Sequence, residues 1–152
     1  MKKNYLKYTP NEIMLAAKIY ERLLSTLEVN YYLMNRDKEQ DFLLLLLSAN
    51  KTNVEGLLEK EKRDTDLIIA IDESTNLYAL VCQDTKVNGG YAFGERLLRN
   101  IVLDGGTDIY CTELDVRTTS YKVKDVLFHL IDIFTKSKRD RRVGEIIFGS
   151  LH

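Results

Sequence analysis

Hydrophobic positions along this chain change their spacing from segment to segment, and each change marks an element. Ile13, Ala17, Tyr20, Leu24, Leu27, Tyr31 and Met34 alternate steps of four and three, a heptad stripe that predicts one helix over residues 10–37. Its start is written locally in Thr9-Pro10-Asn11-Glu12, with a threonine N-cap, a proline at the first helical position and a glutamate that closes a capping box. Reading residues 28–34 as a strand would make Asn35-Arg36-Asp37-Lys38-Glu39-Gln40 a hairpin loop, but the unbroken heptad favours helix. Such a stripe either packs on the domain's own sheet or pairs with a second copy of itself, and both uses stay open at this point.

Beyond the helix the spacing collapses. Residues 41–49 hold five consecutive leucines behind Phe42, a run whose length suits a strand buried on both faces and central in a sheet. Val54, Leu57 and Leu58 mark a short helix over residues 53–62. Leu67-Ile68-Ile69-Ala70-Ile71 and Leu77-Tyr78-Ala79-Leu80-Val81-Cys82 are the cores of two strands, over residues 66–72 and 77–84, whose brief connection makes them an antiparallel hairpin. The tip, Glu73-Ser74-Thr75-Asn76, contains no glycine. After Gly89-Gly90 a helical period returns in Phe93, Leu97, Leu98 and Ile101, and Asp104-Gly105-Gly106 stops it.

Residues 108–116 alternate as a strand, and Val123, Val126, Leu127, Leu130, Ile131 and Phe134 define a strongly amphipathic helix. That helix ends in the basic run 136–142, which suits the negative end of the helix dipole, and residues 145–148 form a last strand. The order predicts a single α/β domain over residues 1–152, with an N-terminal helix at 10–37 and an α/β core at 41–149. In that core a mixed sheet of about five strands is flanked by helices.

Composition narrows the function classes. A chain of 152 residues with 45% hydrophobic content and one proline supports one domain with a real core. Its charges nearly cancel to a net of −1, which excludes a generic polyanion-binding surface and makes nucleic acid a poor partner. Cys82 and Cys111 both sit in apolar strand runs and read as buried thiols of a reducing compartment, not as a disulfide or metal framework. Met1-Lys2-Lys3-Asn4-Tyr5 lacks the apolar stretch of a signal peptide, and the apolar run at 42–47 is too short to span a bilayer, so the expected location is cytoplasmic, with no membrane insertion. His129 borders the apolar face of its helix without a neighbouring ligand residue and reads as a core-edge histidine. No Walker loop, zinc spacing or nucleophile elbow is present in the sequence.

Several fragments in fixed order carry a resemblance. Tyr78-Ala79-Leu80-Val81-Cys82-Gln83-Asp84-Thr85, then Ala92-Phe93-Gly94-Glu95-Arg96-Leu97-Leu98, then Asp125-Val126-Leu127 with the exit Lys136-Ser137-Lys138-Arg139-Asp140-Arg141-Arg142, follow one another between residues 63 and 149. In that order they resemble the second half of a GGDEF (diguanylate cyclase) domain: the strand and Thr-ended turn after the signature, the next helix, and the closing helix with its basic exit. The departures are as informative. A cyclase carries paired glycines and acids at the hairpin tip, where backbone approaches the nucleotide and a carboxylate holds Mg²⁺. This tip has Asp72 and Glu73 but no glycine, and Leu47-Ser48-Ala49-Asn50-Lys51 offers no carboxylate where the family's first strand ends in a metal ligand. Between that strand and Arg63 there is room for one helix where the family has two.

The resemblance therefore implies a degenerate GGDEF-like signalling domain that is not an enzyme, with no catalytic residues, no metal and no cofactor. It also implies a ligand. An Arg-x-x-Asp ahead of the signature, helped by an arginine on the following helix, forms the family's inhibitory cyclic di-GMP site, and the matching positions are Arg63, Asp66 and Arg96. An arginine fork suits the guanine O6 and N7 edge, a carboxylate accepts from N1 and N2, and a second arginine meets phosphate or a purine face. Set against this, Arg63 and Asp66 lie in the charged run Glu59-Lys60-Glu61-Lys62-Arg63-Asp64 and also read as an ordinary ion pair, with Arg96 on a solvent face. The alternative is then an interaction or dimerisation module of the same fold, meeting a protein partner or a second copy through the N-terminal helix.

Overall fold

Burial on both faces decides where the leucine run goes. In the computed structural model, which describes residues 8–37 and 41–151, the run forms strand β1 (Phe42–Asn50) at the centre of a five-stranded sheet. Strands β2 (Asp66–Asp72) and β3 (Leu77–Gln83) lie on one side of it, β4 (Thr107–Val116) and β5 (Ile146–Gly149) on the other, in the order β2-β3-β1-β4-β5. Every pair is antiparallel except β4 with β5, which helix α4 (Val123–Arg139) connects in parallel. The sheet is mixed and five-stranded, as the hydrophobic pattern predicts.

Successive β1 side chains point to opposite faces. Phe42, Leu44 and Leu46 share one core with Ile19, Leu23 and Leu27 of α1 (Pro10–Asp37) and with Leu127, Leu130 and Phe134 of α4. Leu43, Leu45 and Leu47 share the other with Val54 and Leu58 of α2 (Val54–Glu61) and Leu97 and Ile101 of α3 (Val87–Leu103). All five leucines are buried, each stabilising the fold by about 2 kcal/mol, so this one strand holds both helix layers. Cys82 and Cys111 are free and buried on β3 and β4, with β1 between them. Among the described residues no helix is long and apolar enough to cross a membrane.

Helix α1 starts on its capping box: Glu12 N–H donates to Thr9 Oγ1 at 3.1 Å and Thr9 N–H to Glu12 Oε1 at 2.9 Å. Residues 28–34 are helical, while residues 38–40 of the alternative hairpin loop, and Met1 to Tyr5, lie outside the described residues. The inward face of α1 coincides with the heptad stripe only in part. Ile19, Leu23, Leu27 and Met34 are buried, whereas Ile13 and Ala17 are exposed and Tyr20, Leu24 and Tyr31 half-buried. A straight helix of 3.6 residues per turn drifts away from a 3.5-residue repeat, so the sheet takes Ile19 and Leu23 together with Leu27 and Met34 and leaves Tyr20, Leu24 and Tyr31 at the edge of the core. A second correction concerns α3. It begins at Val87, which puts Gly89 and Gly90 inside its first turns instead of ahead of them, and it ends at Gly105, whose φ of +85° suits a residue without Cβ.

Candidate functional site

The hairpin tip is built around Asp72. A 3₁₀ turn, Glu73–Thr75, follows β2, and the Asp72 carboxylate accepts from Lys18 Nζ at 3.1 Å, Ser74 Oγ at 2.9 Å and Thr75 Oγ1 at 2.9 Å. Burial opposes its ionisation, but these three donors outweigh it and hold the carboxyl below its usual range. Asn76 supplies the left-handed residue (φ 57°) that a glycine supplies in many turns, and its Nδ2 donates to Ala49 O at 2.7 Å and Thr52 O at 2.8 Å. Ser48 Oγ donates to Thr75 O at 3.3 Å, so the end of β1 and the tip are stitched by neutral groups. Beside the tip an open cleft of about 640 Å³ runs between α1 and the end of α4, bordered by Asn11, Lys18, Thr75 and Lys138. Among the described residues no group of three His, Cys, Asp or Glu side chains is placed to hold a metal ion.

Arg63 and Asp66 meet at the other end of the hairpin. The turn after α2 closes with Asp66 N–H on Arg63 O at 3.0 Å and Arg63 N–H on Asp66 Oδ2 at 2.9 Å. The guanidinium then donates to Asp66 Oδ1 from Nε at 3.1 Å and from Nη2 at 2.8 Å. Nη2 also reaches Gln83 O at 2.7 Å and Thr85 Oγ1 at 2.6 Å, on the turn after β3. The bond to Asp66 pushes the Arg63 pKa up further. Exposure separates the partners: 52% for the Arg63 side chain and 2% for that of Asp66. Nη1 has no acceptor among the described residues.

Arg96 approaches from α3. Its Nε donates to Glu61 Oε1 at 2.9 Å, at the end of α2 and two residues before Arg63, and its guanidinium lies 5.0 Å over the Phe93 ring. The structure thus brings Arg63 and Asp66 into direct contact, while the partners of Arg96 are Glu61 and Phe93 and not that pair. Both arginines are about half exposed.

One charged group escaped the sequence reading. Glu113 of β4 is fully buried under α3, and neither of its carboxylate oxygens has a hydrogen-bond partner among the described residues. Burial alone pushes its pKa up to about 8. Gly90 and Gly94 let the helix backbone pass over it: a Cβ at either position would come within 2.9 Å or 2.5 Å of a carboxylate oxygen. The available signal is that pair of glycines four apart on one helix face, which the apolar pattern does not register.

Compared by sequence, neither a protein-family profile nor a curated protein matches the chain. Compared by structure, it resembles the active GGEEF domain of a diguanylate cyclase from Vibrio cholerae, with a TM-score of 0.62 and 9% identity over 79% of this chain and 89% of that one. It also resembles the GGDEF domain of DgcB from Caulobacter crescentus in complex with c-di-GMP, with a TM-score of 0.64 and 8% identity over 82% of this chain and 88% of the other. At such identities the likeness is one of backbone, and it covers most of both chains: the chain has the fold of a GGDEF domain.

Proposed function

We propose that this chain is a regulatory domain on the GGDEF fold that makes no cyclic dinucleotide and binds cyclic di-GMP at the surface of Arg63, Asp66 and Arg96. The observation that carries the reading is the state of Arg63: its Nε and Nη2 are pinned by Asp66, Gln83 and Thr85, while the side chain stays about half exposed and Nη1 has no hydrogen-bond partner among the described residues. A fork fixed in this way is ready to meet the O6 and N7 edge of a guanine with little further loss of side-chain entropy. Asp66 aims the fork. Arg96, held by Glu61 on the same flank, meets phosphate or stacks on a base. The complex of the Caulobacter crescentus domain with c-di-GMP supports the choice of ligand.

Silence in catalysis is supported by the tip. Phosphoryl transfer needs carboxylates free to hold Mg²⁺ beside the phosphates. Asp72 is instead neutralised by Lys18 and filled by two hydroxyls, and β1 ends in Ser48, Ala49 and Asn50. The two buried free thiols fit a cytoplasmic setting.

A second reading, an interaction module without nucleotide, is favoured by the closure of Asp66, whose two oxygens are already taken by Arg63. Calorimetry separates the two. Titration with cyclic di-GMP gives heat that Arg63→Ala and Arg96→Ala each weaken at least tenfold, with far-ultraviolet circular dichroism confirming that both variants are folded. No heat at about 100 μM ligand removes the receptor reading, since even modest affinity registers there. Incubation with GTP and Mg²⁺, followed by chromatography, leaves GTP unchanged; formation of cyclic di-GMP would overturn the inactive assignment.

A further inference from the structure

Among the described residues the outer face of the α1/α4 layer has nothing packed on it, and it centres on one aromatic stack. Phe128 of α4 is 49% exposed although its ring stacks on Tyr20 of α1, centroids 5.3 Å apart and planes 15° from parallel. The two helices run antiparallel: Ile13 lies beside Ile131 and Thr135, while Leu24 and Tyr31 lie beside Tyr121 and Val123. Ile13 is 59% exposed at one end of the face, where it lines a hollow of about 670 Å³ with Ile131, Asp132 and Thr135, and a second hollow of about 500 Å³ opens at the other end between Leu24, Tyr31 and Val123. Lys124 and Asp132 stand one helical turn to either side of Phe128, both exposed and neither with an ion-pair partner among the described residues.

We propose that this face binds a second copy of the chain about a twofold axis at Phe128, in an antiparallel register that sets Lys124 against Asp132 of the partner subunit. The register follows from the arithmetic of the dyad. If Phe128 lies opposite itself, paired positions on α4 sum to 256, which puts residue 124 opposite residue 132 twice. On α1 the same axis passes Tyr20, so paired positions sum to 40 and Ala16 falls opposite Leu24 of the partner subunit, a small residue facing a large one. Ile13, level with Thr135, falls opposite the partner's level of Tyr121, where the second hollow lies. Cation and anion match in the antiparallel register and not in the parallel one, where Lys124 would face Lys124 of the partner subunit. The apolar centre supplies the affinity and the charge pairs select the register. The proposal does not depend on nucleotide binding.

Sedimentation equilibrium on the full chain tests it. Wild type is expected to dimerise. Lys124→Asp and Asp132→Lys each set like charges against one another twice and weaken self-association about tenfold or more. The double variant Lys124→Asp/Asp132→Lys restores it, and an equimolar mixture of the two single variants forms a heterodimer. Phe128→Glu is monomeric while keeping its helical circular dichroism. A wild-type monomer at about 500 μM overturns the proposal. So does a dimer indifferent to Phe128→Glu and to both charge exchanges, and so does a dimer that appears only when residues 1–7 are removed, which would make that segment the occupant of the face.

Discussion

The carboxylate of Glu113 occupies the space that a side chain on Gly94 would need: a Cβ built on that glycine comes within 2.5 Å of Oε2. Helix α3 crosses β4 closely because two of its residues have no side chain to present there. In an ordinary helix position Gly→Ala stabilises by about 1 kcal/mol. At this crossing Gly94→Ala destabilises by about 1–3 kcal/mol in urea denaturation, because the buried carboxyl must be displaced to admit the methyl group. In a Glu113→Ala background the sign moves back toward the propensity gain, and the difference between backgrounds measures the contact. Equal losses in both backgrounds would assign the spacing to Ile146, whose Cδ1 would stand 3.0 Å from the same Cβ.

The same glutamate gives the fold an unusual dependence on pH. Unfolded, its carboxyl titrates near 4.5; folded, burial raises it to about 8. Between these values the folded chain keeps a proton that the unfolded chain has released, so stability is full below 4.5 and falls as pH rises toward 8. By pH 7 the loss is about 3 kcal/mol. The lowered carboxyls of Asp72, Glu12 and Glu145 act oppositely, but below the ordinary carboxylate range, and leave this window to Glu113. Urea midpoints measured from pH 5 to pH 8 therefore decline in wild type and stay nearly flat in Glu113→Gln. A decline that survives the substitution would place its origin in another group.

These two effects rest on a residue that the hydrophobic pattern hid, while the pattern was sound wherever burial is one-dimensional. Five leucines in a row leave no polar face, so β1 could only be central, and the capping box at Thr9 and Glu12 is a local device that forms as its spacing dictates. The inward face of α1 was misjudged because a heptad and a straight helix share residues for two turns and then part, at Ile13 and Ala17. Glu113 sits between Thr112 and Leu114 in an alternating strand, where a charge reads as solvent-facing until the helix above it is known. Arg63 and Asp66 were visible as a spacing. That their pairing is completed by the Gln83 carbonyl and Thr85 depends on β3 lying beside β2.

Asn76 is the hinge of the hairpin tip and does two jobs. Its backbone takes a left-handed conformation, and its amide ties the tip to Ala49 and Thr52. Asn76→Gly keeps the first and loses the second, a cost of about 1–2 kcal/mol. Asn76→Ala loses both and costs about 1 kcal/mol more, since alanine strains in that region. Thermal unfolding should rank wild type above Gly above Ala. If Gly matched wild type, the two amide bonds would contribute nothing.

Arg63 carries a structural duty that any ligand experiment must respect. Removing its side chain leaves the Asp66 carboxylate, 2% exposed, with only the Arg63 backbone N–H as donor. Stranding a buried carboxylate costs about 3–5 kcal/mol, and discounting for the half-exposed arginine brings the expectation for Arg63→Ala to about 2–3 kcal/mol. Arg63→Lys keeps the charge but not the fork, and lies between. The double variant Arg63→Met/Asp66→Leu recovers most of the loss, because no charge is then left unpaired. Denaturant midpoints for the three variants test the order. An Arg63→Ala protein as stable as wild type would mean that Asp66 is reached by water and that the pair is held for a ligand alone.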